Sequence, residues 1–161
     1  MDLRLARPGD AEALRAIYNA EVSGSTVTFD IEPRSHADQL AWIERHQGVH
    51  PAIVAVDDGE VAGFGSLSPF RDRAAYATTV EDSVYVADGR RGRGVGRRLL
   101  EELVDLATKQ GFHTAIARTA GDNEASIALH RSCGFALVGI EREVGRKFGR
   151  WIDVAILQRM L

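Results

Sequence analysis

The sequence contains only one cysteine, Cys133, among its 161 residues. A lone cysteine cannot form an internal disulfide, and it excludes zinc sites that need several thiolates, so we predict no metal site. No apolar run approaches the ~18 residues of a transmembrane helix. The N-terminal Met-Asp-Leu-Arg also does not resemble a signal peptide. We therefore expect a cytoplasmic protein without a membrane partner.

The chain also lacks a strong excess of charge of either sign. Twenty lysines and arginines stand against 23 aspartates and glutamates, which gives a net charge of −3. This balance argues against a protein that coats nucleic acid, and we expect no nucleic-acid partner. The 45% of hydrophobic residues excludes wholesale disorder. Because there are no repeats, low-complexity tracts or linkers, we predict a single domain over residues 1–161.

Hydrophobic periodicity predicts four helices and seven strands. Asp10 and Ser35 are placed to cap the first two helices, the first of which should end near Ala20. In the second helix, the apolar side chains should meet the core while His46 meets water. Asp58-Gly59 is a hairpin signal between two strands. The predicted strands are at about 3–5, 52–57, 60–68, 77–86, 114–119, 135–142 and 150–160, and the predicted later helices at 99–107 and 123–132. The simplest architecture is a mixed sheet with helices on both faces.

A turn rich in glycine and arginine lies between the Val84-Tyr85-Val86 strand and a leucine-rich helix. Glycines in such a turn let backbone N–H groups converge, and the helix N-terminus adds partial positive charge. This arrangement binds a phosphate or pyrophosphate. Formal positive charge comes from Arg90, Arg91, Arg93, Arg97 and Arg98. The Walker loop is excluded because no Lys-Ser or Lys-Thr follows, and the spacing of the glycines excludes the dinucleotide fingerprint.

The spacing Arg91-x-x-Gly94-x-Gly96 resembles the pyrophosphate loop of the GNAT superfamily of acyl-CoA-dependent N-acetyltransferases. Three further stretches are similar to its phosphinothricin acetyltransferase branch: Thr-Val-Glu-Asp-Ser-Val-Tyr-Val at 79–86, Gly-Asp-Asn-Glu-Ala-Ser-Ile-Ala-Leu-His at 121–130 and Gly-Arg-Trp-Ile-Asp-Val at 149–154. Members of that branch acetylate small amino-acid analogues, including phosphinothricin, methionine sulfoximine and methionine sulfone. The resemblance implies a GNAT-type α/β fold, with a mixed, mostly antiparallel central sheet flanked by helices on both faces. It also implies acetyl-CoA as co-substrate.

The same resemblance assigns the acetyl-CoA site. The backbone of the strand just before the turn would pair with the pantetheine arm, through Val84, Tyr85 and Val86. The turn and the start of the helix would cradle the pyrophosphate, through Arg91, Gly92, Arg93, Gly94, Val95, Gly96 and Arg97. Asn123 matches a residue that reaches the pantetheine or diphosphate, and it is equally suited to capping the following helix.

Acetyl transfer to an amine requires a base, because an ammonium group must lose a proton before its nitrogen attacks the thioester. The family's catalytic glutamate falls on Glu81. A carboxylate isolated among valines has a raised pKa, which suits a base that works near neutrality. The alternative is that Asp82 faces the interior and that Glu81 is an exposed strand acid.

The departing thiolate benefits from a proton donor, and His130 occupies the position at which many superfamily members carry a tyrosine. The phosphinothricin branch also has histidine there, so His130 is a candidate donor, with a purely structural helix histidine as the alternative. Cys133 is one helical turn away. A Cys–His acyl-enzyme would need a loop and an orienting group that the sequence does not supply, so we predict that Cys133 belongs to the core.

For the acceptor, the resemblance points to Phe29, Arg73 and Tyr76. Arg73 could clamp a carboxylate, and the two aromatic rings could form walls around a small side chain. Alternatively, Phe29 belongs to the core and Arg73 is solvated. In the branch, a dimer partner completes this pocket near the position of Trp151, so we expect a homodimer.

The resulting hypothesis is direct acetyl transfer from acetyl-CoA to the α-amino group of a small amino-acid-like compound in a ternary complex. One alternative is an acetyltransferase that acts on protein N-termini or lysines, which would favour an open acidic groove. Another is a non-catalytic acyl-CoA sensor, against which the presence of Glu81 argues.

Overall fold

Seven strands form one continuous sheet in a computed structural model that describes all 161 residues, Met1–Leu161. The strands are β1 Asp2–Leu5, β2 Ala52–Asp57, β3 Glu60–Pro69, β4 Thr79–Val86, β5 Thr114–Ala120, β6 Ala136–Lys147 and β7 Arg150–Met160. The helices are α1 Ala11–Gly24, α2 His36–Arg45, α3 Val95–Lys109 and α4 Glu124–Ser132. None of these helices is both long and apolar enough to span a membrane.

The strands lie side by side in the order β1-β2-β3-β4-β5-β7-β6. All neighbours are antiparallel except β4 and β5, so the sheet is mixed and mostly antiparallel, as expected. The parallel pair is joined over only three residue pairs, which end with Glu81 opposite Ile116. Beyond that point β4 and β5 continue without pairing. The sheet therefore has a V-shaped gap at its centre, which we call the β4–β5 gap.

Helices cover both faces of the sheet, and each face has its own apolar core. On one face, α3 repeats Leu99, Leu103 and Ala107 at helical spacing, and these residues belong to a cluster of 17 buried side chains. On the other face, α1 and α2 contribute Leu14 and Ile43 to a cluster of nine. The predicted helices on both faces are confirmed, and the gap lies between the two cores.

Several predicted boundaries need correction. α1 extends past Ala20 to Gly24 because Val22 is buried in the second cluster. Asp10 does not cap α1: its carboxylate accepts hydrogen bonds from the Arg7 N–H at 2.8 Å and from the Arg4 guanidinium at 2.7 and 2.8 Å. Ser35 does cap α2, since its Oγ accepts from the Asp38 N–H at 3.1 Å.

Other differences lie in the loops and at the sheet edge. The predicted strand at 77–86 begins only at Thr79, because Ala74–Tyr76 forms a 3-10 turn. β6 continues to Lys147 through an irregularity at Glu143, whose φ is 52°. His46 is half-buried rather than exposed: its ring stacks on Trp42 at 4.0 Å.

Candidate active site

A cleft of about 380 Å³ follows the β4–β5 gap. Its walls come from both separated strands, the glycine-rich turn and α4. Every residue predicted to bind acetyl-CoA lines this cleft except Arg93: Val84, Tyr85, Val86, Arg91, Gly92, Gly94, Val95, Gly96, Arg97 and Asn123. The structure thus brings together residues from two regions separated by most of α3 and all of β5.

The glycine-rich turn presents free backbone donors at one end of the cleft. Gly92 and Gly94 have φ angles of +74° and +80°, a region that favours glycine. Gly94 is also the N-cap of α3, and no side chain caps this helix. The first N–H groups of a helix have no partner within it, and its positive end favours anions. These residues therefore fit the diphosphate of acetyl-CoA.

The arginines around the turn differ in their hydrogen-bond partners and in their exposure. Arg90 donates to Asp57 at 3.0 Å and to Glu60 at 3.1 Å, and Arg98 donates to the Met1 carbonyl at 2.8 Å. These two guanidinium groups are thereby tied to the β2–β3 hairpin and to the N-terminus. Those of Arg91 and Arg97 are exposed and border the cleft, whereas that of Arg93 is exposed outside it. Arg91 forms an ion pair with the buried Glu21, and Arg97 bonds to Glu101 at 2.8 Å.

Two consecutive acids on β4, Glu81 and Asp82, mark the point at which the gap opens. Val80, Val84 and Val86 pack with the α3 cluster, whereas Tyr85 packs with the α1–α2 cluster. Because side chains alternate along a strand, Asp82 shares the α3 face and Glu81 shares the opposite face with Tyr85. Asp82 is buried and Glu81 half-buried, so the interior acid is Asp82.

The surroundings of Glu81 make it a stronger base than an exposed glutamate. Burial raises the pKa of its carboxyl group above the ordinary value, and the charge of Asp82 adds to this effect. The charges of Arg118 and Arg71 oppose it and lower the pKa. The raised pKa agrees with the prediction, although the cause is burial on the α1–α2 face rather than contact with the valines.

His130 is buried and hydrogen-bonded through both ring nitrogens. Its Nε2 lies 2.9 Å from Oδ2 of Asp82, and its Nδ1 lies 2.7 Å from the Ser126 carbonyl. Phe135 packs edge-on against the ring at a centroid distance of 5.1 Å. Burial on its own would lower the pKa of His130, but the hydrogen bond and charge of Asp82, together with the Ser126 carbonyl, raise it.

The side chains of the three residues predicted to hold the acceptor form no common pocket, although the Tyr76 N–H donates to the Arg73 carbonyl oxygen at 2.9 Å. Arg73 is exposed, and its side chain makes no hydrogen bond or ion pair. The Phe29 ring covers Gly145 on β6 so closely that a side chain at this position would collide with it. Tyr76 instead contacts Phe70, ring centroid to ring centroid, at 5.5 Å.

A different arginine lies beside Tyr76. The guanidinium of Arg71 is 4.8 Å from the Phe70 ring centroid and 5.5 Å from that of Tyr76, and its charge acts on Glu81. Sequence reasoning did not single out Arg71, because nothing local distinguishes it from Arg73. The neighbouring Phe70-Arg71 pair, which allows stacking, was the available signal.

Two further predictions concern α4 and its ends. The Asn123 Oδ1 accepts a hydrogen bond from the Ser126 N–H at 3.1 Å, so its capping role is confirmed, and its side chain also borders the cleft. Cys133 is only 5% exposed and belongs to the α3 cluster. Its assignment to the core is confirmed.

Comparison with known proteins gives a consistent result. Residues 13–135 match the model of the acetyltransferase (GNAT) family. The chain is 43% identical to a phosphinothricin N-acetyltransferase of Streptomyces coelicolor, over 96% of this chain and 95% of that protein. It is 40% identical to an L-methionine sulfoximine/L-methionine sulfone acetyltransferase of Pseudomonas paraeruginosa, over 97% and 92%.

Solved structures agree with these relatives. A phosphinothricin acetyltransferase from Sinorhizobium meliloti, in complex with acetyl-CoA, superposes with a TM-score of 0.96 at 40% identity, over 99% of this chain and 88% of that one. A ribosomal-protein-alanine N-acetyltransferase from Brucella melitensis superposes with a TM-score of 0.97, also at 40% identity, over 100% of both chains.

Proposed function

The chain belongs to the GNAT acetyltransferase family and is an acetyl-CoA-dependent N-acetyltransferase, and on this premise we propose that it acetylates the α-amino group of a small amino-acid-like compound. One observation carries the proposal: Glu81 stands where the β4–β5 gap opens, and the charge of Arg71, whose guanidinium lies 5.5 Å from the centroid of the Tyr76 ring, acts on its carboxyl group. An amino acid bound beside Glu81 can therefore present its amine to a base and its carboxylate to a cation.

Backbone groups hold the acyl donor in this proposal. The N–H groups of the glycine-rich turn and of the first turn of α3 bind the diphosphate. Beyond Glu81, β4 has lost its β5 partner, so its backbone groups are available to the amides of the pantetheine arm. The same unpaired N–H groups can stabilise the oxygen that becomes negative in the tetrahedral state. Bound acetyl-CoA supplies an acyl group activated as a thioester.

Glu81 acts as the general base in a direct transfer. A small zwitterion arrives with a protonated amino group, which cannot attack a thioester. The carboxylate of Glu81 takes this proton, directly or through water, while the acceptor and acetyl-CoA are bound together. The raised pKa of Glu81 favours the uptake of the proton, and the charges of Arg118 and Arg71 limit that rise.

We assign the carboxylate of the acceptor to Arg71, in preference to Arg73. Arg71 is held by stacking beside Phe70 and Tyr76, and its charge reaches Glu81. Arginine binds carboxylates with paired hydrogen bonds, and aromatic rings provide walls for a short side chain. The names of the relatives support phosphinothricin, methionine sulfoximine and methionine sulfone as first candidates.

Acetylation of a protein N-terminus is the second candidate. The similarity to the ribosomal-protein-alanine N-acetyltransferase favours it, because that protein is as similar in sequence as the phosphinothricin enzyme of known structure. A peptide has no carboxylate next to its terminal amine, so it would leave Arg71 without its partner. The two functions therefore differ in their dependence on Arg71.

We also propose that the protein is a homodimer that works in the cytoplasm, where acetyl-CoA is available. β6 is an edge strand, and large apolar side chains on it and beside it are exposed: Leu137, Val138, Ile140, Val144, Phe148 and Trp151. Exposed apolar edges of this kind favour a protein partner. Sedimentation at twice the chain mass is the expected result.

The release of coenzyme A thiol across a panel of amines tests the proposed function. Methionine sulfone, methionine sulfoximine and phosphinothricin should be acetylated, whereas their decarboxylated analogues and short peptides should react slowly. If all the free amino acids were inert while peptides turned over, protein acetylation would replace the proposal. If no amine in the panel caused the release of coenzyme A, the protein would instead be a non-catalytic acyl-CoA sensor.

Two arginine variants test which arginine binds the carboxylate of the acceptor. Arg71→Ala should raise the KM for the sulfone about ten- to a hundredfold, the range for the loss of a hydrogen bond to a charged group. The KM for acetyl-CoA should stay nearly constant. Arg73→Ala is the matched control, because it removes the same charge two residues away. If Arg73→Ala raised the KM for the sulfone as much or more, the carboxylate would be assigned to Arg73 instead.

A further inference from the structure

The residue directly opposite Glu81 on the neighbouring strand is Ser68. The two residues are partners in the antiparallel ladder of β3 and β4. Side chains of directly opposed residues lie on the same face of a sheet, with Cβ atoms about 4.5–5.5 Å apart. Leu67, next to Ser68, packs with the α3 cluster, so Ser68 faces the other side of the sheet. The general base of the proposed transfer therefore has a hydroxyl group beside it.

His46, the residue that follows α2, determines where the hydrogen of this hydroxyl group points. Its Nδ1 lies 2.8 Å from the Trp42 carbonyl oxygen, and its Nε2 lies 3.1 Å from Oγ of Ser68. A carbonyl oxygen can only accept, so Nδ1 carries the hydrogen of the neutral ring and Nε2 can only accept. The Ser68 hydroxyl group therefore donates its hydrogen to His46.

The His46 ring is held in place, and it is neutral at pH 7. The ring stacks on Trp42. Burial lowers the pKa of His46 below its ordinary value, and the hydrogen bond to the Trp42 carbonyl opposes this effect. Neighbouring ionisable groups lower the pKa further; they are Arg45, Arg34 and His50. Because histidine has an ordinary pKa of about 6.5, a lowered pKa keeps the ring uncharged at pH 7.

The oxygen atom of Ser68 is left as an open acceptor. A hydroxyl group has one hydrogen and two lone pairs. The hydrogen of Ser68 is given to His46, and no protein group donates to its oxygen. Ser68 and Glu81 are both half-buried, so a bound molecule can reach them. Two acceptors side by side, one neutral and one charged, suit a group with several N–H donors, such as an ammonium group.

The chain leads from Ser68 directly to the proposed ligand of the carboxylate. β3 ends at Pro69, and Phe70 and Arg71 follow it. The charge of Arg71 acts on the carboxyl group of Glu81. An α-amino acid carries its ammonium and carboxylate groups on one carbon atom, so the sites for these two groups must be neighbours. Ser68 and Arg71 meet this requirement, because both are neighbours of Glu81.

We propose that Ser68 binds the amino group of the acceptor by accepting one of its N–H hydrogen bonds, and that His46 is a positioning residue that keeps Ser68 in the accepting orientation. The inference rests on the proposed acetyl transfer. It divides the recognition of the α-amino acid between two sites: Ser68 and Glu81 bind the amine, and Arg71 binds the carboxylate. No proton passes to Ser68, since Glu81 remains the base.

Removal of the Ser68 hydroxyl group tests the contact with the amine. Ser68→Ala should raise the KM for methionine sulfone about tenfold or more, the cost of a lost hydrogen bond to a charged group. The kcat should change little, because the contact exists in the bound substrate as well as in the transition state. Ser68→Thr keeps the hydroxyl group and should keep a KM close to that of the wild type. Ser66→Ala is the matched control: it removes a hydroxyl group from the same face of β3, opposite Ser83, and should leave the KM unchanged.

The des-amino analogue of methionine sulfone shows whether the effect is confined to the amine. This compound keeps the carboxylate and the sulfone, so it should inhibit in competition with the substrate. Its inhibition constant should be the same in Ser68→Ala as in the wild type, and it should rise in Arg71→Ala. If the inhibition constant rose in Ser68→Ala as much as the KM, the variant would have distorted the whole pocket, and the inference would be overturned.

The role of His46 is tested through Ser68. His46→Phe keeps a ring that can stack on Trp42 but removes both nitrogens, so the Ser68 hydroxyl group can turn its hydrogen towards Glu81. The KM for methionine sulfone should then rise several-fold. The same change should have no further effect in Ser68→Ala, because His46 acts only through the missing hydroxyl group. Equal effects in both backgrounds would contradict the positioning role.

The hydrogen on the His46 ring can be observed by ¹⁵N NMR in the histidine-labelled wild type, which needs no variant to fold. At pH 7 the hydrogen should lie on Nδ1, and Nε2 should be bare; a hydrogen on Nε2 would overturn the inference. If the wild type acetylates methionine sulfone and Ser68→Ala keeps the wild-type KM, the inference fails alone. If the wild type acetylates no free amino acid, the proposed function fails with it.

Discussion

Glu81 is the single residue on which the proposed chemistry depends most directly. Glu81→Gln should preserve the fold and the acetyl-CoA site, because glutamine has the same shape. The loss of a general base typically costs ~10²–10⁴-fold in rate. This loss should shrink as pH rises, since free amine then becomes plentiful. If Glu81→Gln kept the wild-type kcat at neutral pH, Glu81 would not be the general base.

The pH profile tests the environment of the same residue. A base works only when ionised, so activity falls as the pH drops through the pKa of Glu81, and burial places this acid limb above that of an exposed glutamate. Arg118 lowers the pKa, so Arg118→Gln should move the acid limb to higher pH. Arg131→Gln removes an exposed arginine of α4 and should leave the limb in place. A shift to lower pH in Arg118→Gln would contradict this electrostatic account.

Most of the residues that line the cleft could be named from the sequence, but the contacts between them could not. Strand alternation around Val84 shows that Glu81 and Asp82 face opposite sides, yet not which side is buried. The bond between Asp82 and His130 joins residues 48 positions apart, and only the packing of α4 against the sheet creates it. Arg71 and Arg73 look equivalent in the sequence because the loop that carries them is placed by tertiary contacts.

Among the helices and strands, the start of α3 is the element on which the proposed acyl-donor site depends most. Gly94→Val should lower acetyl-CoA affinity about tenfold or more, because a φ of +80° strains a β-branched residue and its side chain would crowd the diphosphate. Calorimetry on the folded variant measures this change. Gly48→Val, at a φ of +66° outside the cleft, carries similar strain and should bind normally. If Gly94→Val bound acetyl-CoA with unchanged affinity, the diphosphate would not bind at this turn.

Most elements were predictable because their signals are local. Apolar spacing marked α3, and Asp58-Gly59 marked the hairpin between β2 and β3. The φ angles of Asp58 and Gly59, 51° and 80°, suit a tight turn. The ends were less predictable. Val22 extends α1 because it finds a buried site against the sheet, and β6 passes beyond residue 142 because its ladder with β7 resumes after an irregularity.

For the whole molecule, the arrangement of the sheet is the reason to place the proposed reaction at its centre. A parallel pair of strands lies within an otherwise antiparallel sheet, and it separates after three residue pairs. The separation exposes backbone groups between two apolar cores without cutting either core. In the proposed reaction, donor and acceptor meet at this gap, next to Glu81.

The most direct test of this account is a crystal structure with methionine sulfone and a thioether analogue of acetyl-CoA that cannot be cleaved. The diphosphate should lie within hydrogen-bond distance of the N–H groups of residues 92–97, and the arm should follow residues 84–86 in the gap. The amino nitrogen of methionine sulfone should lie on the Glu81 face, and the carboxylate of the same molecule should contact Arg71. An amino nitrogen on the Asp82 face, or a diphosphate away from the glycine-rich turn, would contradict the account.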